Sequence, residues 1–165
     1  MTQFRSSVVA SLLLVACATV PDLSSVEAEI VHSGLYTDAV NGADYQAASV
    51  VASQSVPYRA GDVFGATFKL SGWPVGTRHL PYQAVWNHPP IREPGQGPLV
   101  ERAVNNYDID GFEFPDFLEL EVPELWRLEA PELQNGTWTI KLFVDGRPIA
   151  RSQFEISDCP GSAKG

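Results

Sequence analysis

The chain has 165 residues, of which 11 are lysine or arginine and 20 are aspartate or glutamate, so its formal net charge is −9. This length suits one domain with a sizeable buried core. The negative charge repels phosphate backbones and anionic headgroups, which argues against a nucleic-acid partner and against membrane binding through a basic patch.

Residues 1–16 have the three parts of an export signal. Arg5 and the terminal amine supply positive charge, an apolar stretch runs from Val8 to Val15, and small residues follow at Ala16 and Ala18. A membrane-spanning helix needs about 20 apolar residues, so this stretch is too short to remain as a transmembrane anchor.

The segment Leu14-Val15-Ala16-Cys17 resembles the lipobox of bacterial lipoproteins. The resemblance implies cleavage before Cys17, lipidation of its thiol and membrane anchoring through acyl chains. The next residue is Ala18 rather than aspartate, which in such lipoproteins favours the outer membrane, with the protein facing the periplasm. The alternative is ordinary cleavage after Ala18, which would give a soluble periplasmic or secreted protein.

The other cysteine, Cys159, lies next to the start of a C-terminal tail, residues 158–165, that is predicted to be disordered. If Cys17 is lipidated, Cys159 has no partner within the chain, and we interpret it as an inert thiol near a frayed end rather than a bridge to another chain. If Cys17 is not lipidated, a disulfide between the two cysteines becomes possible.

Residues 17–27 are predicted to form a tether that holds a domain of residues 28–157 within about 35 Å of the membrane. Within that domain, four segments alternate apolar and polar residues with the two-residue period of a half-buried strand. They are residues 64–70, 80–86, 118–122 and 138–142. Residues 41–56 are compatible with either a short helix or an extra strand.

Asp145-Gly146 between two apolar segments predicts a hairpin with a type I′ turn, because this dipeptide tolerates positive φ angles. The returning strand, residues 149–156, carries Ala150, Phe154 and Ile156 on one side. Pro115, Pro123 and Pro131 exclude a long helix in the acidic segment.

Two segments of the sequence are informative together. The first is a closing pattern of Gly136-x-Trp138-x-Ile140-x-Leu142, Asp145-Gly146, Ile149-Ala150 and Phe154, and the second is Trp86-Asn87-His88-Pro89. The closing pattern is similar to the last hairpin of bacterial immunoglobulin-like envelope domains, and together with the second segment it resembles an uncharacterised bacterial family of unknown function. The resemblance covers residues 28–157 and implies an all-β, immunoglobulin-like antiparallel sandwich of about seven strands, without implying an activity.

The sequence contains no nucleophile elbow, zinc-binding helix or phosphate-binding glycine loop, so we predict neither an enzyme nor a bound cofactor. The three histidines, His32, His79 and His88, are far apart. We interpret them as solvated residues at strand ends rather than as zinc ligands.

The segment Asn106-x-Asp108-x-Asp110-Gly111 begins like a calcium-binding loop, but its twelfth position is Phe117 rather than glutamate. These residues are therefore weak calcium candidates, and a polar turn explains the pattern equally well. We interpret most of the nearby acidic residues as solvated strand faces, with docking of a cationic partner as the alternative. They are Glu113, Asp116, Glu119, Glu121, Glu124, Glu129 and Glu132.

The proline- and glycine-rich residues 87–98 predict an extended, semi-rigid surface loop, and such loops often bind partners. Trp73, between Gly72 and Pro74, is expected to be exposed, whereas Trp86 is expected in the core. The candidate binding residues are Trp73, His88 and Arg92.

The sequence as a whole predicts a lipid-anchored binding or adaptor module of the bacterial cell envelope. It would bind another envelope protein, or as the second choice a glycan, through strand-end loops or a strand edge. One alternative is a passive structural or accessory lipoprotein. Another is an envelope hydrolase or metal-dependent enzyme, which the absence of catalytic motifs disfavours.

Overall fold

The computed structural model describes residues 22–37, 49–57, 61–91, 99–110, 119–128 and 135–157. These residues form a 3₁₀ turn, Leu23–Ser25, and nine strands. The strands are β1 (Glu27–Thr37), β2 (Ser49–Ala52), β3 (Ser55–Pro57), β4 (Val63–Ser71), β5 (His79–Ile91), β6 (Val100–Asp110), β7 (Glu119–Arg127), β8 (Gly136–Val144) and β9 (Arg147–Ser157). No helix in this part of the chain is long and apolar enough to cross a membrane.

The strands form a four-stranded sheet, in the order β2-β1-β4-β7, and a five-stranded sheet, in the order β3-β9-β8-β5-β6. All neighbours are antiparallel except β3 and β9, which are parallel. The predicted all-β sandwich is confirmed, but with nine strands rather than about seven. The two short strands β2 and β3 lie in the segment 41–56 that the sequence analysis left open, except for Pro57 at the end of β3; residues 41–48 lie outside the described chain.

The core lies between the two sheets and is rich in aromatic side chains. The ring of Phe64 in β4 meets the rings of Trp86, Trp138 and Phe154 edge-on, with centroids 5.2 to 5.6 Å apart. All four side chains are fully buried. This arrangement confirms Trp86 as a core residue and couples β4 of one sheet to three strands of the other.

Strand β4 is buried on both faces along most of its length, so the prediction of a half-buried strand was wrong there. It lies between β1 and β7, and Tyr36 from β1 covers its outer face. The Tyr36 hydroxyl is 2.8 Å from Oγ1 of Thr67, so the outward-pointing threonine has a buried hydrogen-bond partner.

The predicted C-terminal hairpin is confirmed. Asp145 has φ 49° and Gly146 has φ 71°, the positive pair that a type I′ turn requires. On the returning strand β9, Phe154 and Ile156 are buried, whereas Ala150 is half-buried.

The N-terminal end of the described chain packs onto the domain, so the predicted tether is too long. Leu23 and Val26 are buried in the core. Arg147 donates hydrogen bonds from Nη2 to the carbonyl oxygens of Ser24 and Val26, at 2.9 and 2.6 Å. Leu23 and Val26, which the sequence analysis assigned to the tether, therefore belong to the folded unit.

The predicted proline-rich loop is wrong in its first part. Residues 87–91 continue β5, which runs to Ile91, with a register shift relative to β6 between Asn87 and Ile91. Prolines are tolerated there because the irregular pairing leaves their missing N–H groups without a required acceptor. Residues 92–98 lie outside the described chain.

Candidate functional site

Strand β6 is an edge strand of the five-stranded sheet, and none of its eleven residues is buried. It pairs with β5 on one side; on its other side no strand of the described chain is bonded to it. An edge strand presents unpaired backbone N–H and C=O groups, which form a template for another strand. The edge of β6 is therefore the candidate site.

The two faces of β6 are fixed by its register with β5. Tyr107 lies opposite Tyr82, and their rings stack with centroids 4.7 Å apart. The even-numbered residues of β6 lie on the opposite face of the sheet from Tyr107. On that face Nε2 of Gln83 donates a hydrogen bond to Oδ1 of Asn106 at 2.9 Å. Beside this pair is a shallow cavity of about 250 Å³. Its lining includes Asp108, Phe143, Asp145 and Gly146.

The weak calcium candidates Asn106, Asp108 and Asp110 lie on one face of β6, not in a loop or turn. Alternate residues of a strand are about 6.6 Å apart, so an extended backbone cannot wrap these oxygens around one ion. No group of three or more metal-binding side chains occurs in the described ranges. Asn106, Asp108 and Asp110 are therefore strand residues and do not form a calcium loop, and the polar turn predicted at Asp110-Gly111 extends beyond the described residues.

Two of these carboxylates contact a histidine of β5 instead. Nδ1 of His79 is 2.6 Å from Oδ1 of Asp110, and its Nε2 is 3.7 Å from Oδ1 of Asp108. The hydrogen bond to Asp110 is the main reason that the pKa of His79 is raised above 6.5. The outer face of β6 thus combines acidic groups with a histidine that gains a proton readily.

We expect the substitution Asp110→Asn to lower the pKa of His79 towards its ordinary value, because it removes the charged acceptor of the hydrogen bond. The histidine ring resonances, followed by NMR between pH 5 and 8, measure the change. Asp108→Asn is the matched control and should have a smaller effect, since Asp108 lies farther from the ring. Equal effects of the two substitutions would contradict the assigned contact.

Two of the three predicted binding residues, Trp73 and His88, lie in the described chain, and neither is exposed. Trp73 is half-buried and packs against the core. His88 is buried in β5 and stacks on Trp138, with centroids 4.8 Å apart, so its interpretation as a solvated residue was wrong. Arg92 lies outside the described residues, as do Cys17 and Cys159. His88 is therefore a core residue rather than a partner contact.

Glu124 in β7 is the largest departure from the sequence analysis, which interpreted it as solvated. It is 2% exposed and points into the sandwich between the edges of β6 and β7. The hydroxyl of Tyr107 donates to its Oε2 at 3.3 Å. Its Oε1 has no hydrogen-bond partner within the described chain.

Burial is the main cause that raises the pKa of Glu124, to about 7, against the opposing effect of hydrogen bonds from Tyr107 and Tyr82. Burial also raises the pKa of Tyr107, to about 12, and the nearby carboxylate adds to the effect. Tyr82, Tyr107 and Glu124 thus form a polar cluster between β5 and β6 of one sheet and β7 of the other.

A signal for Glu124 was present in the sequence. Leu120, Val122 and Trp126 share one parity in β7, and Glu124 has the same parity. Glu119 and Glu121 have the opposite parity and are exposed. Extending the alternation through Pro123 would have placed Glu124 on the inner face.

By sequence, the chain matches no family model and no curated protein. By structure, it has an immunoglobulin-like fold. It is similar to an immunoglobulin-like protein from Pseudomonas aeruginosa, with a TM-score of 0.54 and 18% identity over 82% of this chain and 99% of that one. This likeness confirms the fold and is too distant to assign an activity.

A second solved structure with some similarity is the alkylpurine DNA glycosylase AlkC of Pseudomonas fluorescens, bound to DNA that contains an abasic site analogue. The match has a TM-score of 0.43 and 11% identity, and covers 81% of this chain and 31% of that chain. At this level the match carries no argument about function.

Proposed function

We propose that the protein is a lipid-anchored adaptor of the bacterial cell envelope that binds an extended protein strand along the free edge of β6. The observation that supports this proposal is the contrast between β6 and the other three edges of the two sheets in the described chain. In strand addition, backbone hydrogen bonds provide affinity and the side chains that alternate along the edge provide specificity.

The other edges have features that discourage pairing. Strands β2 and β3 have four and three residues, too few to offer a long template. Strand β7 has Pro123 near its middle, and Glu119 and Glu121 are exposed beside it. Strand β6 has eleven residues and contains neither proline nor lysine. A monomer that had to avoid pairing would not be expected to keep such an edge.

The side chains of β6 favour a partner that carries a basic residue. Asp108 and Asp110 lie on its outer face, and the whole chain has a net charge of −9. Val104 and Tyr107 are large apolar side chains exposed on the same strand. A strand that places a basic side chain opposite these carboxylates would complement the charge of this face.

The membrane anchor is proposed from the lipobox. The packing of the N-terminal segment limits the distance between that anchor and the fold. Because Leu23 is already docked on the domain, only residues 18–22 separate the proposed lipid on Cys17 from the fold. Five residues span at most ~18 Å. The adaptor would therefore hold its partner close to the membrane surface.

Site-specific photo-cross-linking in the native envelope tests the proposal. A photoreactive residue replaces Val104 on β6, and the control replaces Val51 on β2, an exposed valine at the opposite flank. We expect a discrete cross-linked product from position 104 that is absent from position 51. A parallel Cys17→Ser variant should leave the membrane fraction and lose the product if the anchor brings the partners together.

Two results would contradict the proposal. Equal labelling from positions 104 and 51 would remove the role of β6 and leave a passive accessory lipoprotein as the better explanation. Membrane fractionation unchanged by Cys17→Ser would remove the lipid anchor, and ordinary cleavage after Ala18 would then be favoured.

A further inference from the structure

We infer that the strand bound by β6 is β6 of a second copy of this chain, paired antiparallel about a two-fold axis at Asn105. This inference rests on the proposed role of the β6 edge and adds the identity of the partner. The interface would be isologous, as in most homodimers, and would join two five-stranded sheets into one continuous sheet.

The register follows from the length of the strand. Asn105 is the middle residue of Val100–Asp110, so only an axis at this residue pairs all eleven positions. Opposite residues in an antiparallel pair must also project from the same face of the sheet. An axis at Asn105 meets this condition, because it places even-numbered residues opposite even-numbered residues.

In this register the charges are complementary. Arg102 lies opposite Asp108 of the second copy and diagonal to Asp110, both within reach of its long side chain. The symmetry repeats this contact on the other side of the axis. Within a single copy, Arg102 is exposed and forms no ion pair with any described residue. Pairing would give this arginine the carboxylate neighbours that it lacks.

No like charges face each other elsewhere in the register. Glu101 lies opposite Ile109, and Val100 lies opposite Asp110. The remaining positions pair Ala103 with Tyr107 and Val104 with Asn106. The long-range repulsion between two copies of charge −9 is screened beyond about 8 Å at physiological ionic strength, so association is best measured there.

Disulfide trapping tests the axis. Opposite residues in an antiparallel pair have Cα atoms about 4.5 or 5.5 Å apart, within the range of a disulfide. When the full chain carries both Cys159→Ser and Asn105→Cys, it should therefore form a covalent dimer under mild oxidation. Val104→Cys is the control, because each Cys would face Asn106 and lie about 7 Å or more from its equivalent. The Cys159→Ser chain alone measures any background from Cys17.

Charge reversal tests the ion pairs without cysteine chemistry. We expect Arg102→Asp and Asp108→Arg each to weaken self-association of the full chain in detergent about tenfold, measured by sedimentation. An equimolar mixture of the two variants should recover association as a heterodimer, because each copy then offers the charge that the other needs. A general loss of folding could not produce this recovery.

The outcomes separate the inference from the proposed function. A chain that stays monomeric, with no cross-linking of Asn105→Cys above the Val104→Cys control, overturns the second copy as partner. If position 104 still gives a discrete photo-cross-linked product with a different protein, the adaptor function stands. If neither experiment gives a product, both are wrong. Trapping at position 104 instead of 105 would overturn the proposed register.

Discussion

Replacement of Glu124 by glutamine is expected to stabilise the protein at pH 8 by about 3 kcal/mol and to have little effect at pH 4.5. Burial raises the pKa of Glu124 from 4.5 to about 7, so the folded protein at pH 8 holds a buried carboxylate at a cost in free energy. Glutamine keeps the shape of the side chain and removes the charge. Denaturant unfolding followed by tryptophan fluorescence, from pH 4.5 to 8, measures the difference.

The direction of the pH dependence follows from proton binding. The pKa of Glu124 is higher in the folded protein than in the unfolded chain, so the folded state binds the proton more tightly between pH 4.5 and 7. The contribution of Glu124 to stability is therefore fully present below pH 4.5 and is lost as the pH rises through about 7. The glutamine variant should lack this part of the pH dependence.

Glu121→Gln is the matched control, because it makes the same chemical change on the same strand at an exposed position. It should leave the difference in unfolding free energy between pH 4.5 and 8 as in the original protein. If the Glu124→Gln and original profiles run parallel across this range, Glu124 does not titrate in the way that its burial implies.

The strands of the core could be predicted from sequence because their alternation is strong and local. Residues 80–86 and 138–142 fall within β5 and β8, and Asp145-Gly146 forms the predicted turn. These features depend on neighbouring residues alone. Their physical cause, side chains projecting alternately from a strand, does not depend on which strands later become neighbours.

The errors arose where tertiary contacts decide the outcome. Residues 87–91 have the composition of a loop, yet they continue β5, where His88 contacts the rings of Trp126 and Trp138. Leu23 and Val26 were predicted to be part of a tether, yet both are buried in the core. Neither contact is visible in the local pattern of the chain.

The candidate site could not be predicted because an edge is a property of sheet order. The sequence shows that residues 100–110 alternate polar and apolar groups only weakly, and it suggested a calcium loop at Asn106. Only the order β3-β9-β8-β5-β6 reveals that β6 lies at the margin of its sheet. The same order brings Tyr107 beside Glu124 of the other sheet and so links the buried carboxyl to this flank.

The second large effect is expected at the centre of the sandwich. Phe64→Ala should lower the free energy of unfolding by about 3–5 kcal/mol, the usual cost of emptying a fully buried aromatic site. Phe64 is fully buried and contacts the rings of Trp86, Trp138 and Phe154, so the vacated space cannot be filled without moving three large side chains. Chemical denaturation at constant pH provides the measurement.

Phe143→Ala provides the comparison, because Phe143 lies on β8 with its ring only partly buried at the outer face. Its replacement should cost about 1 kcal/mol, since solvent already reaches the side chain. The ratio between the two losses tests the assignment of the sheet faces. Comparable losses from both variants would mean that Phe64 does not hold the two sheets together, and the aromatic contacts across the core would have to be reassigned.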